Sequence, residues 1–496
     1  MKPVVCIALA TLITATACTP GKTPEKPNVV VILVDDMGWK DCGCYGSTFY
    51  ETPHIDSLAA TGVRFTQAYS ASGVCSPTRA SILTGKTPAR LHLTEWIGPD
   101  EWHIQGELAT PAFRQQLDHS ETTLAEALKA NGYTTFFTGK WHLGSEPFYP
   151  EHHGFDKNIG GNSAGAPPSY FYPYRRENWK GTGWPGEIAG LEEGSPGEYL
   201  TDRLTREAEQ FLDTIGNRPF LLYLSHYAIH KPLQAKAADS AYFARKAASL
   251  NPTGKRYKKE PRGGLTRQYQ DHPVNAAMIR SVDQSVGQIL AKLNQKELAR
   301  NTIVIFTSDN GPVTTSTITE FGGRVDRYNL CSSVLPLRAG KGWYYEGGIR
   351  VPLIIRWPGH TPSDSIITEP AISYDLYPTI LTMCGIDPMP RQHLDGLDLS
   401  PLLTGDTSLT ARTLYWHYPH YHTLGQTPAS AIRNGDYKLI WWYEEEEAEL
   451  YDLSVDVGEK RNLADSLPAI TRSLHNQLFN YLGEVDAGYP ERTTMR

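Results

Sequence analysis

The sequence predicts an α/β fold: a large, mostly parallel sheet sandwiched by helices, plus a smaller C-terminal α+β domain with an antiparallel sheet. Three observations predict it. Short β-branched and aromatic runs, apolar on both faces, alternate with amphipathic helical patterns as far as about Leu403. Beyond that point aromatic runs are separated by polar turns, the pattern of antiparallel strands. The 496 residues, 40% of them hydrophobic and 20% charged, suffice for a large core and more than one domain.

Taken in order, "MKPVVCIALATLITATACTP" has a lysine, an apolar run and then small residues. That is the layout of an export signal over residues 1–18, too short for a stable membrane span. Its small residues end at Cys18, where two readings stand: lipid attachment, or a plain cleaved signal with an incidental cysteine. Residues 19–26 read as a linker and 27–403 as the main domain. There "NVVVILV" from Asn28, "YTTFFT" from Tyr133, "FLLYLS" from Phe220, "TIVIFTS" from Thr302 and "VPLIIRW" from Val351 read as buried strands. "TPHIDSLAATG" is a helix capped by Thr52 with Pro53 in its first turn. "SETTLAEALKANG" opens on a capping residue and stops at Gly132, and "HPVNAAMIRSVDQSVGQILAKLNQ" is a longer amphipathic helix. In residues 404–496, "RTLYWHYPHY", "ASAIRNGDYKLIWWYE" and "AELYDLSVD" read as antiparallel strands, with "PAITRSLHNQLFNYLG" as a helix packed on them. The acid run Glu444 to Glu447 falls at a hairpin tip and reads as a solvated turn rather than a metal site. The net charge of -7 speaks against a nucleic-acid partner. No second long apolar run follows the signal, so the chain is expected in the periplasm or at the cell surface, touching a membrane only through an N-terminal lipid.

Cys6 and Cys18 belong to the signal; Cys42, Cys44, Cys75, Cys331 and Cys384 are too thinly spread for a disulfide framework, and no CxxC zinc pattern occurs. In an open parallel sheet, ligands bind beyond the carboxyl ends of the strands. "NVVVILV" is followed by Asp35 and Asp36, and "TIVIFTS" by Asp309 and Asn310. "YTTFFT" leads to Lys140 and His142, and "FLLYLS" to His226 and His230. Any one of these is more simply a helix cap or a satisfied core histidine; four strands delivering compatible groups to one edge is a site. Three carboxylates and an amide are hard ligands for Ca²⁺ or Mg²⁺. Lys140, His142, His230 and Lys341 add positive charge and proton donors, which describes a pocket for a tetrahedral oxyanion. In "ASGVCSPTRASILTGK", Pro77 suits a helix first turn, placing Cys75 at the anion-favouring N-terminus of a helix.

These residues resemble the type I sulfatase family. "CSPTR" matches its C-x-P-x-R signature, and "GYTTFFTGKWHLG" its second signature, with Thr138 where the family more often has a small aliphatic residue or serine. "VDDMG", "SDNG" and "GKGWYYEGGIRVP" follow the family order; the likeness is strong from about Lys26 to Pro358 and looser beyond. The resemblance implies an alkaline phosphatase-like fold and a Cys75 converted after translation to formylglycine by a maturation enzyme that reads Pro77 and Arg79. It implies Ca²⁺ held by Asp35, Asp36, Asp309, Asn310 and the modified Cys75. It further implies attack on sulfur by one hydroxyl of the hydrated aldehyde, protonation of the departing alcohol by His230 or Lys341, and release of sulfate when His142 deprotonates the second hydroxyl. Arg79 and Lys140 would hold charge near the diol. The expected activity is hydrolysis of a sulfate ester on a carbohydrate, with galactose and N-acetylgalactosamine sulfates suggested by "WHYPHYH" from Trp416 to His422. The alternatives are a phosphonate or phosphodiester hydrolase on the same scaffold and an inactive glycan-binding homologue. "KRYKKEPRGGLTR", with six basic residues against one acidic, reads either as a contact for a polyanionic glycan or as a solvated loop.

Overall fold

The structure is a computed structural model and describes residues 26–176, 185–316, 327, 329–405 and 409–492. The signal at 1–18, with Cys18, and all but the last residue of the 19–26 linker lie outside the described residues.

The main sheet has eight strands: β1 (Asn28–Val34), β2 (Val63–Phe65), β3 (Thr134–Gly139), β4 (Lys157–Ile159), β5 (Phe220–Ser225), β6 (Thr302–Ser308), β7 (Leu353–Arg356) and β8 (Ser365–Ile367). Their order is β8-β2-β7-β6-β1-β5-β3-β4. β1 lies at the centre, parallel to β6 with Val34 opposite Ser308 and parallel to β5 with Leu33 opposite Ser225. β3 continues the parallel set, with Gly139 opposite Ser225. "VPLIIRW" contributes β7, which runs antiparallel to both β6 and β2. This reversal matters for the site. Leu353 pairs with Thr307 near the carboxyl end of β6, so the segment that precedes β7 enters from the edge where β1, β5 and β6 end.

Alternation along β1 sends side chains to two helical layers. Val29, Val31 and Leu33 face one core with Ile82 and Leu83 of α2 (Cys75–Thr84) and Leu124 and Leu128 of α3 (Leu124–Ala130). Val30, Ile32 and Val34 face the other with Leu58 of α1 (Pro53–Ala60), Leu204 of α4 (Leu200–Thr214) and Met278, Ile279 and Val282 of α5 (Pro273–Gln295). The start of α3 falls later than Ser120 because Thr123 and Glu126 form a reciprocal capping box, which satisfies two backbone donors at once.

The C-terminal sheet runs in the order β9 (Thr413–Tyr418), β10 (Ala429–Asn434), β11 (Tyr437–Trp442) and β12 (Glu447–Asp452), all antiparallel. One face, with Ile432, Leu439 and Leu450, packs on Leu474, Leu478 and Leu482 of α6 (Pro468–Glu484). The other, with Trp416, Tyr418, Ala431 and Trp442, lies on Tyr69, Val74 and Trp343 to Tyr345 of the main domain. The acid run sits at the β11–β12 turn as expected. The basic segment forms a small hairpin, Tyr257–Lys259 with Leu265–Arg267. Arg262 at its tip pairs with Glu445 and Glu449 at 2.7 and 2.9 Å, so part of that charge is neutralised internally. Among the described residues no helix is long and apolar enough to cross a membrane, and the five cysteines described are all unpaired.

Candidate active site

The carboxyl ends of β1, β6, β5 and β3 are stitched together before any side chain is considered. Asp35 N–H donates to Ala228 O at 2.9 Å and Asp309 N–H to Val34 O at 3.2 Å. Asp36 has a φ of 63°, a left-handed conformation unfavourable for a side chain, and is held there by its N–H donating to Asp309 Oδ1 at 3.2 Å. Asp35, Asp36, Asp309 and Asn310 are all buried.

Four cations and amides thread this cluster. Arg79 donates from Nε to Asp309 Oδ2 at 2.8 Å and from Nη1 to Lys140 O and Ser225 Oγ, both at 2.8 Å. Lys140 Nζ lies 2.7 Å from Asp35 Oδ2 and Lys341 Nζ 2.5 Å from Asp36 Oδ1. Asn310 donates from Nδ2 to Asp36 Oδ1 at 2.7 Å. Burial pushes the Asp35 carboxyl up to about 8; Lys140 beside it acts the other way, and the Asp309 and Asp36 carboxylates add to the rise.

Cys75 opens α2 after an extended Val74, two residues ahead of Pro77, and α2 stops at Gly85 in the left-handed conformation. Its Sγ lies 3.7 Å from Asp35 Oδ1 and 3.4 Å from Lys341 Nζ. Burial pushes the thiol up to about 12 despite Lys140 and Lys341. His142 Nε2 lies 2.6 Å from Ile97 O, so this nitrogen donates and Nδ1 is the basic one. His230 donates Nδ1–H to Lys231 O at 2.9 Å and sets Nε2 3.8 Å from Asp36 Oδ2. Burial, then Lys341 and Lys140, lower its basicity well below the usual histidine range. His226 is not part of this group: it turns beneath α5, with Nε2 3.0 Å from Ser285 Oγ, and burial pushes it down to about 3.

The donor set fits a hard divalent cation. Asp35, Asp309 and Cys75 place ligand atoms within 4.8 Å of one another, fully buried. With its Nδ2 engaged, Asn310 keeps a buried Oδ1 that has no hydrogen-bond partner among the described residues, an acceptor that a cation would satisfy.

The structure thus brings together Asp35, Asp36, Cys75, Arg79, Lys140, His230, Asp309, Asn310 and Lys341, with His142 held on the same loop as Lys140. Sequence reasoning missed Ser225, the last residue of an apolar strand, which only the β3–β5 register places under Arg79. It also missed Glu346, whose buried carboxylate ties the Lys341 loop to Lys438 of β11 at 3.0 Å.

A sulfatase family profile matches residues 27–386, and the profile described as N-sulphoglucosamine sulphohydrolase, C-terminal, matches 339–484. Arylsulfatase A of Homo sapiens is 32% identical over 515 residues, covering 93% of this chain and 89% of its own. N-acetylgalactosamine-6-sulfatase of Rattus norvegicus is 31% identical over 467 residues, covering 92% and 79%. The crystal structure of Ps i-CgsB in complex with k-i-k-neocarrahexaose superposes with a TM-score of 0.73 at 28% identity, covering 92% of this chain and 93% of the other. Fold, site and relatives agree: the chain belongs to the sulfatase family and is a sulfuric ester hydrolase.

Proposed function

We propose that this sulfatase is exported and hydrolyses a sulfate ester of a carbohydrate, using Cys75 matured to formylglycine and a calcium ion. The observation that carries the reading is Cys75 at the N-terminus of α2, with Lys341 3.4 Å and Asp35 3.7 Å from its sulfur. N-acetylgalactosamine-6-sulfatase among the relatives and the neocarrahexaose bound in a structural neighbour support a carbohydrate, and the Trp416–His422 stretch suggests galactose and N-acetylgalactosamine sulfates first.

Hydrated formylglycine supplies one hydroxyl for attack on sulfur and a second whose deprotonation drives sulfate release. Calcium supplies Lewis-acid charge at the anion. Asp35, Asp36, Asp309 and Asn310 Oδ1 would hold the ion, together with the matured Cys75. Arg79 holds Asp309 in place through Oδ2, and Lys341 beside residue 75 and Lys140 beside Asp35 bring positive charge to where oxyanion charge would develop. A proton delivered to the departing alcohol by His230 leaves from Nε2, because Nδ1–H is engaged with Lys231 O. Nδ1 of His142 is the nitrogen that accepts a proton. A formylglycine-maturation enzyme is the implied partner. Export to the periplasm or cell surface with lipid at Cys18 predicts that Cys18→Ala moves the protein from the membrane to the soluble fraction.

The test is hydrolysis of galactose, N-acetylgalactosamine, glucosamine and fucose sulfates and of 4-nitrophenyl sulfate, with a phosphodiester as control. Peptide mass spectrometry at Cys75 accompanies it. Sulfate-ester turnover with an aldehyde at residue 75 is expected. An unmodified thiol in fully active enzyme, or faster turnover of the phosphodiester, overturns the reading.

A further inference from the structure

The C-terminal domain reaches the site through one turn. After β9 the chain folds back on itself, with His422 N–H donating to Gln426 O at 2.9 Å and Gly425 N–H to His422 O at 2.8 Å. Gln426 Oε1 accepts the Tyr344 N–H at 2.6 Å, which locks this turn to the loop carrying Lys341. The His422 ring packs on Gly342, the residue after Lys341: a Cβ there would lie 2.3 Å from His422 Nδ1. Gly342 N–H in turn donates to Gly73 O at 2.8 Å, two residues before Cys75.

His422 is 5% exposed. Leu424 N–H donates to Nδ1 at 3.1 Å, which makes Nδ1 the acceptor and assigns the proton of the neutral ring to Nε2. Burial, then Lys341, hold the ring neutral by pushing it down to about 3, and Asp36, Lys231 and His103 also act on it. By its packing on Gly342 the imidazole lies beside the loop that carries Lys341. Its Nε2–H makes no hydrogen bond to any described residue and is not enclosed by protein. A donor with a fixed tautomer that opens toward solvent is available to an oxygen of a bound ligand.

We infer that His422 is a substrate-contacting, specificity-determining residue whose Nε2–H donates to an oxygen of the sugar that bears the sulfate, beside Lys341. This rests on the carbohydrate-sulfatase reading. The contact is recognition and not proton transfer, because Nδ1 already accepts the Leu424 N–H and the ring cannot take a second proton without losing that bond.

Two conservative variants separate this role from a structural one. Asparagine places an acceptor where Nδ1 was, so His422→Asn keeps the Leu424 contact and loses the donor. Glutamine places an N–H where Nε2 was, so His422→Gln keeps the donor and loses the turn contact. The readout is kcat/KM on the saccharide sulfate of the panel that the wild type turns over fastest, beside 4-nitrophenyl sulfate, which lacks sugar oxygens. On the saccharide, His422→Asn is expected to lose about 10- to 100-fold, the worth of a hydrogen bond in a largely buried site. His422→Gln should stay within about 5-fold of wild type, and both variants within about 3-fold on 4-nitrophenyl sulfate. Retained saccharide activity in His422→Asn with loss in His422→Gln would make the residue a turn cap and overturn the inference. Equal losses on both substrates would assign it to the anion site and also overturn it. Wild-type failure on every saccharide, with 4-nitrophenyl sulfate still cleaved, would remove the carbohydrate reading itself; failure on every sulfate ester would remove the functional proposal.

Discussion

Asp309 accepts from Arg79 through Oδ2 at 2.8 Å and from the Asp36 backbone through Oδ1 at 3.2 Å. Its loss would strip a ligand from the proposed calcium site and leave Arg79 buried beside fewer carboxylates. Asp309→Ala should therefore lower kcat/KM by about 10³-fold or more. Added calcium should raise the wild-type Tm and leave that of the variant nearly unchanged; an equal calcium response in both would remove Asp309 from the ligand set. His230 gives a second contrast. A sugar alcohol leaves poorly without a proton, whereas nitrophenolate leaves readily. His230→Ala should lose about 10²- to 10⁴-fold on a sulfated sugar and far less on 4-nitrophenyl sulfate; parallel losses would make His230 an anion-positioning group. Glu95 offers a pH-dependent test away from the proposed metal ligands. It is buried and accepts from the Tyr418 hydroxyl at 2.7 Å and from Trp96 N–H at 2.8 Å. Burial pushes its carboxyl from 4.5 up to about 8. The folded chain thus binds this proton more tightly than the unfolded chain. The associated stability is complete below 4.5 and is lost as pH rises through about 8. Glu95→Gln cannot titrate, so its Tm should fall less than that of wild type between about pH 5 and 9 by calorimetry. Parallel Tm curves would count against a neutral Glu95.

At the scale of elements, strand ends and their glycines decide where the side chains go. Gly139 closes β3 with a φ of +107°, and a Cβ there would lie 1.8 Å from Ser225 O. That close approach lets β3 lie against β5 at the point where Arg79 reaches both Lys140 O and Ser225 Oγ. Gly139→Ala meets backbone strain and a backbone clash together, and should destabilise the fold by about 3 kcal/mol in denaturant titration. A loss below about 1 kcal/mol would show that the strand end relaxes without cost. The antiparallel course of β7 has the complementary effect. It returns the Lys341 loop to the site edge, where Lys341 N–H donates to Pro312 O at 2.8 Å and Gly311 N–H to Gly348 O at 2.9 Å.

Over the whole molecule, the C-terminal sheet clamps the two loops that carry Cys75 and Lys341. Lys438 Nζ sits 3.0 Å from Glu346 Oε1 and 2.9 Å from Glu459 Oε1, and all three side chains are wholly buried. Tyr69, at the head of the segment that leads to Cys75, donates to Glu346 Oε2 at 2.8 Å and accepts from Arg433 of β10. Lys438→Met would leave two buried carboxylates facing each other without their common cation. A loss of about 3–5 kcal/mol is expected by chemical denaturation. The double variant Lys438→Met with Glu459→Gln should recover part of it, because one of the two charges is gone. No recovery would show that Glu346 alone sets the cost.

The sequence by itself determined the α/β class, most of the main strands, the long helix Pro273–Gln295 and the candidate ligands, because each depends on local pattern. Burial on both faces makes a central parallel strand uniformly apolar, and polar residues just after such a strand must fall at one edge. The start of the helix SETTLAEALKANG was less legible, since Thr123 and Glu126 compete with Ser120 as its cap and the reciprocal pair wins. Only the tertiary structure decided the rest. Strand direction is not written in composition, so the reversal of β7 was invisible; the motif around Lys341 placed it in the pocket but did not show the route that brings it beside Cys75. Register placed Ser225 beneath Arg79; His226, one residue past the end of β5, turns to Ser285 of α5, while His230 faces Asp36. The roof over the site, with Glu346, Lys438 and His422, joins residues far apart in the chain through packing of one sheet on two loops. Contacts of that kind arise when apolar surfaces close and their buried charges must find partners, and no single stretch of sequence records which partner each one finds.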